Sequence, residues 1–392
     1  MLLRAFLTFN VIIGTAFGGF GIAVPALRER FDVGLSTVTL GLSLVVLAVN
    51  ILMPVGAASV ARLGLRRAMT VGVLLGAAGN ITLALAPNIA VALIAFGLLI
   101  GPAGAMAGTI PTSLLAGGWY PHARGRAVGM TMMPVGMTLA PVVGYVVIER
   151  LGLSAFYLGL AGLHLLLLIA LIGVREPPII EDDDVVDLPI GGVPKSGIPT
   201  GQLLMRPVFW CLVLGSGSLY AIGLIDATHT VSVLIERGIS RGEAAILVSV
   251  MGGAGVVGSL GIGYLADRIG GTGALAVVAM GFAGAWSVIG LTSWLPAMVP
   301  AMIVAGTCSA GIFSALNVAT AHFFGAATLG RATGFLAMCT LPLTFLLSPG
   351  AGLLHDITGS YTPVIAAIVG LTGAVAILFA MLSRRERYRP NQ

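Results

Sequence analysis

Apolar runs of roughly 20 residues or more follow one another twelve times along this chain, each closed by a short turn carrying charge, glycine or proline. That alternation leaves few folds open. Hydrocarbon offers the backbone no hydrogen-bond partner, so only a helix or a closed barrel can cross it with every N–H and C=O paired. The runs fall near 5–27, 36–59, 68–86, 89–115, 127–148 and 154–172, then near 209–235, 243–265, 273–291, 297–323, 333–354 and 361–382. The expected fold is an all-α integral membrane protein with twelve transmembrane helices.

Composition agrees. Hydrophobic residues make up 57% of the 392 and charged residues only 9%, against about 25% charged in a soluble domain. The 56 glycines and 20 prolines would break soluble helices. Between membrane helices, small residues permit close approach, and neighbours re-satisfy groups freed at prolines. The net charge of +5 does not mark a nucleic-acid surface, since the basic residues sit singly at the ends of apolar runs. Cys211, Cys308 and Cys339 fall inside runs and read as buried thiols rather than disulfide or metal ligands. Lys195, the one lysine, lacks the context of a nucleotide loop. No cofactor is expected. The run after Arg4 continues to Leu27 and reads as the first span rather than a leader.

The turn Gly263-Tyr264-Leu265-Ala266-Asp267-Arg268-Ile269-Gly270 has an echo 206 residues earlier, where Arg62 and Gly64 stand for Arg268 and Gly270. A second pair, Gly125-Arg126-Ala127-Val128-Gly129 and Gly330-Arg331-Ala332-Thr333-Gly334, repeats at 205 residues. Two unrelated turns sharing nearly one offset indicate an internal duplication, which is a common transporter design. The expected domains are an N-terminal six-helix bundle over 1–173, a cytoplasmic linker over 174–206, and a C-terminal six-helix bundle with a short cytoplasmic tail over 207–392. In the linker, Glu181-Asp182-Asp183-Asp184 reads as solvated charge rather than a cation site. Of the 20 Lys and Arg residues, 15 fall on one side of the alternating turns and 5 on the other. The positive-inside rule then puts both termini in the cytoplasm, and the expected location is a bacterial inner (cytoplasmic) membrane.

Duplicated six-span halves, a polar central linker and a charged turn between the second and third spans of each half resemble the major facilitator superfamily over almost the whole chain. Gly263, Leu265, Asp267, Arg268 and Gly270 match its signature turn G-x-L-x-D-R-x-G in full. The first-half copy keeps Arg62 and Gly64 but has Ala61 where the acid belongs. The resemblance implies two pseudo-symmetric six-helix bundles around a central cavity. It also makes these turns cytoplasmic gating elements, with Arg126 or Arg331 as partners for Asp267. Trp119-Tyr120 followed by 124–129, Thr228-His229 followed by Glu236-Arg237-Gly238, and the passage 352–361 resemble the monocarboxylate-transporter-like and oxalate/formate-antiporter-like branch. One position departs from it. Carboxylate carriers often have an arginine eight residues before the turn's aspartate, and here that residue is Ser259.

An ionisable group in hydrocarbon is costly, so each one inside a span is a functional candidate. Asp226 and His229 lie three apart in the seventh span, where a carboxylate and an imidazole on one helix face could take up and release a proton. The plainer alternative has Asp226 at a wet mouth, paired with Arg28 or Arg30. His164 in the sixth span reads as a satisfied structural histidine, and His322 and His355 as interfacial. By resemblance, the first, fourth, seventh and tenth spans line the substrate cavity, helped by the second, fifth, eighth and eleventh. Among the polar or aromatic residues near their middles, the cavity candidates are Asn10, Thr15, Phe17, Phe20, Asn50, Thr109, Tyr145, Tyr220, Ser259, Asn317 and Thr340, with Ser249, Ser314 and Thr344 at similar depth. Each has a helix–helix hydrogen bond as its alternative role. Gly136, Ala140, Pro141 and Gly144 in the fifth span partly resemble the glycine–proline motif of proton-driven drug exporters.

These readings converge on a secondary active transporter, not an enzyme, working as a monomer in the lipid bilayer. Its expected partners are a small organic acid or related metabolite and protons or a counter-solute. The alternative is proton-coupled efflux of a neutral or hydrophobic compound. A membrane sensor or enzyme is more remote, for want of an output domain or convergent catalytic groups.

Overall fold

The computed structural model describes residues 1–120, 124–176 and 200–387, which contain helices and no strand. Among the described residues, twelve helices are long and apolar enough to cross a membrane. They are α1 (Leu2–Phe31), α2 (Leu35–Val60), α3 (Leu65–Leu85), α4 (Ile89–Trp119), α5 (Arg126–Leu151) and α6 (Leu153–Ile172), then α7 (Pro207–Glu236), α8 (Arg241–Ile269), α9 (Gly271–Leu291), α10 (Leu295–Phe324), α11 (Arg331–Thr358) and α12 (Thr362–Arg384). Every apolar run has its helix. Several helices overrun their apolar runs, and in α8 a polar cap, invisible to hydropathy, accounts for the extension. At the head of α8, the Ser240 side chain accepts from the Glu243 N–H while the Glu243 carboxylate accepts from the Ser240 N–H, satisfying two otherwise orphaned donors.

The chain forms two compact units, Met1–Asp187 and Leu188–Gln392. Most of the expected linker, 177–199, with its acidic cluster and Lys195, lies outside the described residues. The helices pair identically within each unit. In the first, α1 packs on α5, α2 on α4, and α3 on both α4 and α6; in the second, α7 packs on α11, α8 on α10, and α9 on both α10 and α12. Glycine makes two of these approaches possible. A Cβ on Gly14 of α1 would lie 2.9 Å from the Cα of Gly136 on α5, and one on Gly306 of α10 would run into the carbonyl oxygen of Met251 on α8. Large apolar side chains such as Leu98, Ile169, Leu260 and Met280 are exposed, as suits a surface solvated by lipid tails.

Length repeats as well: α1, α7 and α10 have 30 residues and α4 has 31, whereas α3 and α9 have 21 and α6 has 20. Regularity does not repeat. A π-helical turn widens α1 at Asn10–Gly14 and α4 at Phe96–Ile100, while α7 and α10 run 30 residues each as unbroken α-helix. The fifth run, expected as continuous, is interrupted between Thr131 and Val135. Pro134 there has no N–H to give an upstream carbonyl. The duplicated turns share one backbone geometry. Gly64 closes the second helix at φ 83° and ψ 159°, and Gly270 closes α8 at φ 84° and ψ 156°, a region that glycine alone enters cheaply.

Candidate functional site

Buried polar side chains of the second unit collect along α7. Asp226 is 3% exposed, and its Oδ1 accepts a 3.0 Å hydrogen bond from the indole Nε1 of Trp286 on α9. Its Oδ2, equally buried, has no hydrogen-bond partner among the described residues. His229 lies one turn on and is fully buried. Its Nε2 is 2.9 Å from the carbonyl oxygen of Ser348 on α11. A carbonyl only accepts, so Nε2 carries the proton, and Nδ1 accepts from the Tyr361 hydroxyl at 3.0 Å. Thr228 and Ser348 join their hydroxyls at 2.9 Å beside it. Asp226 and His229 therefore turn to different neighbours, the acid toward α9 and the imidazole toward α11 and the head of α12.

At the end of α7, Glu236 continues this knot. Its Oε1 accepts from the backbone N–H of Tyr361 at 2.8 Å and the Ser360 hydroxyl at 3.2 Å, capping the first turn of α12. Its Oε2 sits 3.1 Å from His355 Nε2, and the His355 ring lies 4.4 Å from that of Tyr361. Sequence reasoning singled out Asp226 and His229 because charge stands out in an apolar run. It missed Trp286 and Ser348, whose roles depend on partners 60 and 119 residues away.

The remaining candidates spread over both units. Asn10 sits in the π-turn of α1, donates to Phe6 O at 3.0 Å and accepts from the Gly136 N–H at 2.7 Å, tying α1 to α5. Thr15 and Phe20 line a cavity of about 30 Å³ inside the first unit, together with Asn80 and His164. Phe20 meets Phe96 edge-on there. Asn50, Asn317, Ser259 and Thr340 donate to the carbonyls of Val46, Phe313, Val256 and Ala337 on their own helices, the usual way a short polar side chain is held in hydrocarbon. Phe17, Tyr145 and Tyr220 are half-buried and Thr109 is exposed. At the duplicated turns, Arg62, Arg126, Asp267 and Arg268 are exposed, Arg331 is half-buried, and the Arg268 guanidinium lies 4.5 Å from the Tyr264 ring centroid. Among the described residues no His, Cys, Asp or Glu cluster could hold a metal ion.

A family model described as the Major Facilitator Superfamily matches residues 6–339 and 228–392. Among curated proteins, monocarboxylate transporter 11 of Homo sapiens is 28% identical over 90% of this chain and 76% of its own length. Monocarboxylate transporter 13 of Bos taurus is 27% identical over 83% of this chain and 76% of its own. The MFS transporter asaE of Aspergillus flavus is 24% identical over 67% of this chain, which spans 59% of that protein's length. Among solved structures, the nucleoside transporter NupG aligns over 97% of this chain and 99% of its own with a TM-score of 0.80 at 13% identity. A bacterial homolog of the human lysosomal transporter Spinster aligns over 100% and 98% with a TM-score of 0.77 at 16% identity.

Proposed function

The chain belongs to the Major Facilitator Superfamily, and from that premise we propose that it moves a small organic acid or related metabolite by alternating access of its two six-helix units, coupled to protons. That it is a membrane transporter and not an enzyme follows from the family; substrate and coupling are the proposal. The monocarboxylate transporters among its relatives support the substrate class. The observation that carries the coupling is Asp226, a buried carboxyl with one oxygen on Trp286 and the other unpartnered. Hydrocarbon opposes charge on that oxygen, and a proton relieves the cost. A site that turns alternately to two aqueous compartments would load and release that proton with each cycle. His229 holds α7 against α11 and α12 and is the second group assigned to coupling. The skewed distribution of Lys and Arg supports cytoplasmic termini, and the exposed Arg62, Arg126, Asp267 and Arg268 suit gating turns on that side.

A second reading is favoured by Ser259. Its hydroxyl donates to Val256 O, and no Lys or Arg stands mid-span to receive a carboxylate. A neutral or hydrophobic solute would need no such partner.

Uptake of labelled monocarboxylates into proteoliposomes, with and without an imposed pH gradient, separates the readings. Gradient-driven accumulation is expected, falling about tenfold or more in Asp226→Asn. Uptake without gradient dependence removes proton coupling. No carboxylate uptake in the wild type removes the organic-acid reading and leaves neutral solutes.

A further inference from the structure

Gly64 and Gly270 close equivalent helices with one backbone geometry, so counting from them sets the two units in register. Within the third helix of each unit, Gly76 then corresponds to Phe282 and Asn80 to Trp286, each 206 residues on, the same spacing as the two glycines. In the second unit Phe282 and Trp286 are both 0% exposed and fill the interior, with Trp286 on Asp226. In the first unit a glycine and an asparagine stand in those places. Beside them lies the cavity of about 30 Å³, bounded by α1, α2, α3, α4 and α6.

The polar lining of this cavity is mostly acceptors, with one free donor group, the hydroxyl of Tyr157, buried and unpartnered among the described residues. Asn80 donates one N–H of Nδ2 to Gly76 O at 2.8 Å, and the Thr15 hydroxyl donates to Val11 O. His164 Nδ1 lies 2.8 Å from the carbonyl oxygen of Leu160, which fixes the ring proton there and leaves Nε2 with its lone pair. The carboxamide oxygen of Asn80, the Thr15 hydroxyl oxygen, the imidazole Nε2 of His164 and the Tyr157 hydroxyl remain, among apolar walls that hold no carboxylate. A cation would lose its hydration for no counter-charge, and an apolar guest would leave the acceptors unpaired. Water donates twice, accepts from a hydroxyl such as that of Tyr157, and carries no charge. The space fits about two or three molecules, since each needs roughly 10–15 Å³ by this measure.

We infer that the cavity is a water-binding site whose occupants donate to Asn80 and His164, and that it serves the bending of α1 and α4. Both π-turns border it, α1 through Ile12 and α4 through Phe96 and Ile100. A widened turn leaves backbone carbonyls short of partners, and a neighbouring water supplies them while the helix flexes. The second unit, where the buried Phe282 and Trp286 take these places, has unbroken helices there.

Radiolytic hydroxyl labelling of the purified protein in ¹⁸O water tests this without any substrate, so its outcome is independent of the transport reading. His229 is the internal control, buried at 0% against 3% for His164 and with both ring nitrogens on protein groups. His164 is expected to be oxidised about tenfold faster than His229, since bound water sits beside it. Asn80→Leu, which fills the space and removes an acceptor, is expected to bring His164 down to the rate of His229 and to slow amide exchange over 96–100. Equally slow labelling of the two histidines in the wild type overturns the site, whether or not the variant folds. Labelling that falls in the variant while exchange is unchanged overturns the hinge role and leaves the site standing.

Discussion

Asp226 and Trp286 show how little of a buried polar pair one residue's sequence position reveals. The acid stands out because nothing else near it in the chain is charged. Its donor is one of four tryptophans, and nothing in the run around Trp286 says that its N–H faces an acid rather than a headgroup. Trp286→Phe keeps an aromatic ring but removes the donor. It is expected to cost about 1–3 kcal/mol, the price of stranding a buried acceptor, seen as a lower thermal midpoint. Adding Asp226→Asn should then cost less than the two single effects combined, because the acceptor is already alone. Glu236 has a different job. Its carboxylate caps α12, so Glu236→Gln should lower stability by about 1 kcal/mol, with faster amide exchange at Tyr361 as the local sign.

At the scale of helices, the count and centres of all twelve were legible, because hydrocarbon sets their minimum length. The π-turns at Asn10–Gly14 and Phe96–Ile100 and the break at Pro134 were not. Hydropathy reports where a helix is soluble in lipid and says nothing about which carbonyl each N–H takes. Glycine shows the same blindness. The chain has 56 of them, and only the structure separates those that admit a neighbouring backbone from those that face open space. Gly306→Ala, against the Met251 carbonyl, is expected to destabilise by about 1–3 kcal/mol through overpacking. Gly284→Ala on α9, with nothing within 4 Å of the added methyl, should be neutral or stabilising by up to about 1 kcal/mol. Thermal denaturation in one detergent compares the two directly.

For the whole molecule, the duplication was visible in two pairs of turns because turns need particular residues, whereas packed interiors tolerate many. Gly64 and Gly270 kept both residue and dihedrals; Gly76 and Phe282, at equivalent interior positions, kept only the helical backbone. The acid of the turn survives only as Asp267, so on the gating reading the second copy bears that role alone. Asp267→Asn should slow transport about tenfold while leaving substrate affinity unchanged, and a loss confined to affinity would count against gating.

The repeated short helices set a requirement on the surrounding lipid. At 1.5 Å per residue, α3, α6 and α9 reach about 30 Å, the hydrocarbon thickness of an ordinary bilayer, while their 30-residue neighbours reach about 45 Å and have slack to tilt. α3 and α9 have no such slack, because glycines of fixed positive φ bind one end of each to the preceding helix. Thickening the bilayer with longer acyl chains would strand the ends of these helices before it troubles any other, and the transporter would be tuned to membrane thickness through its shortest members.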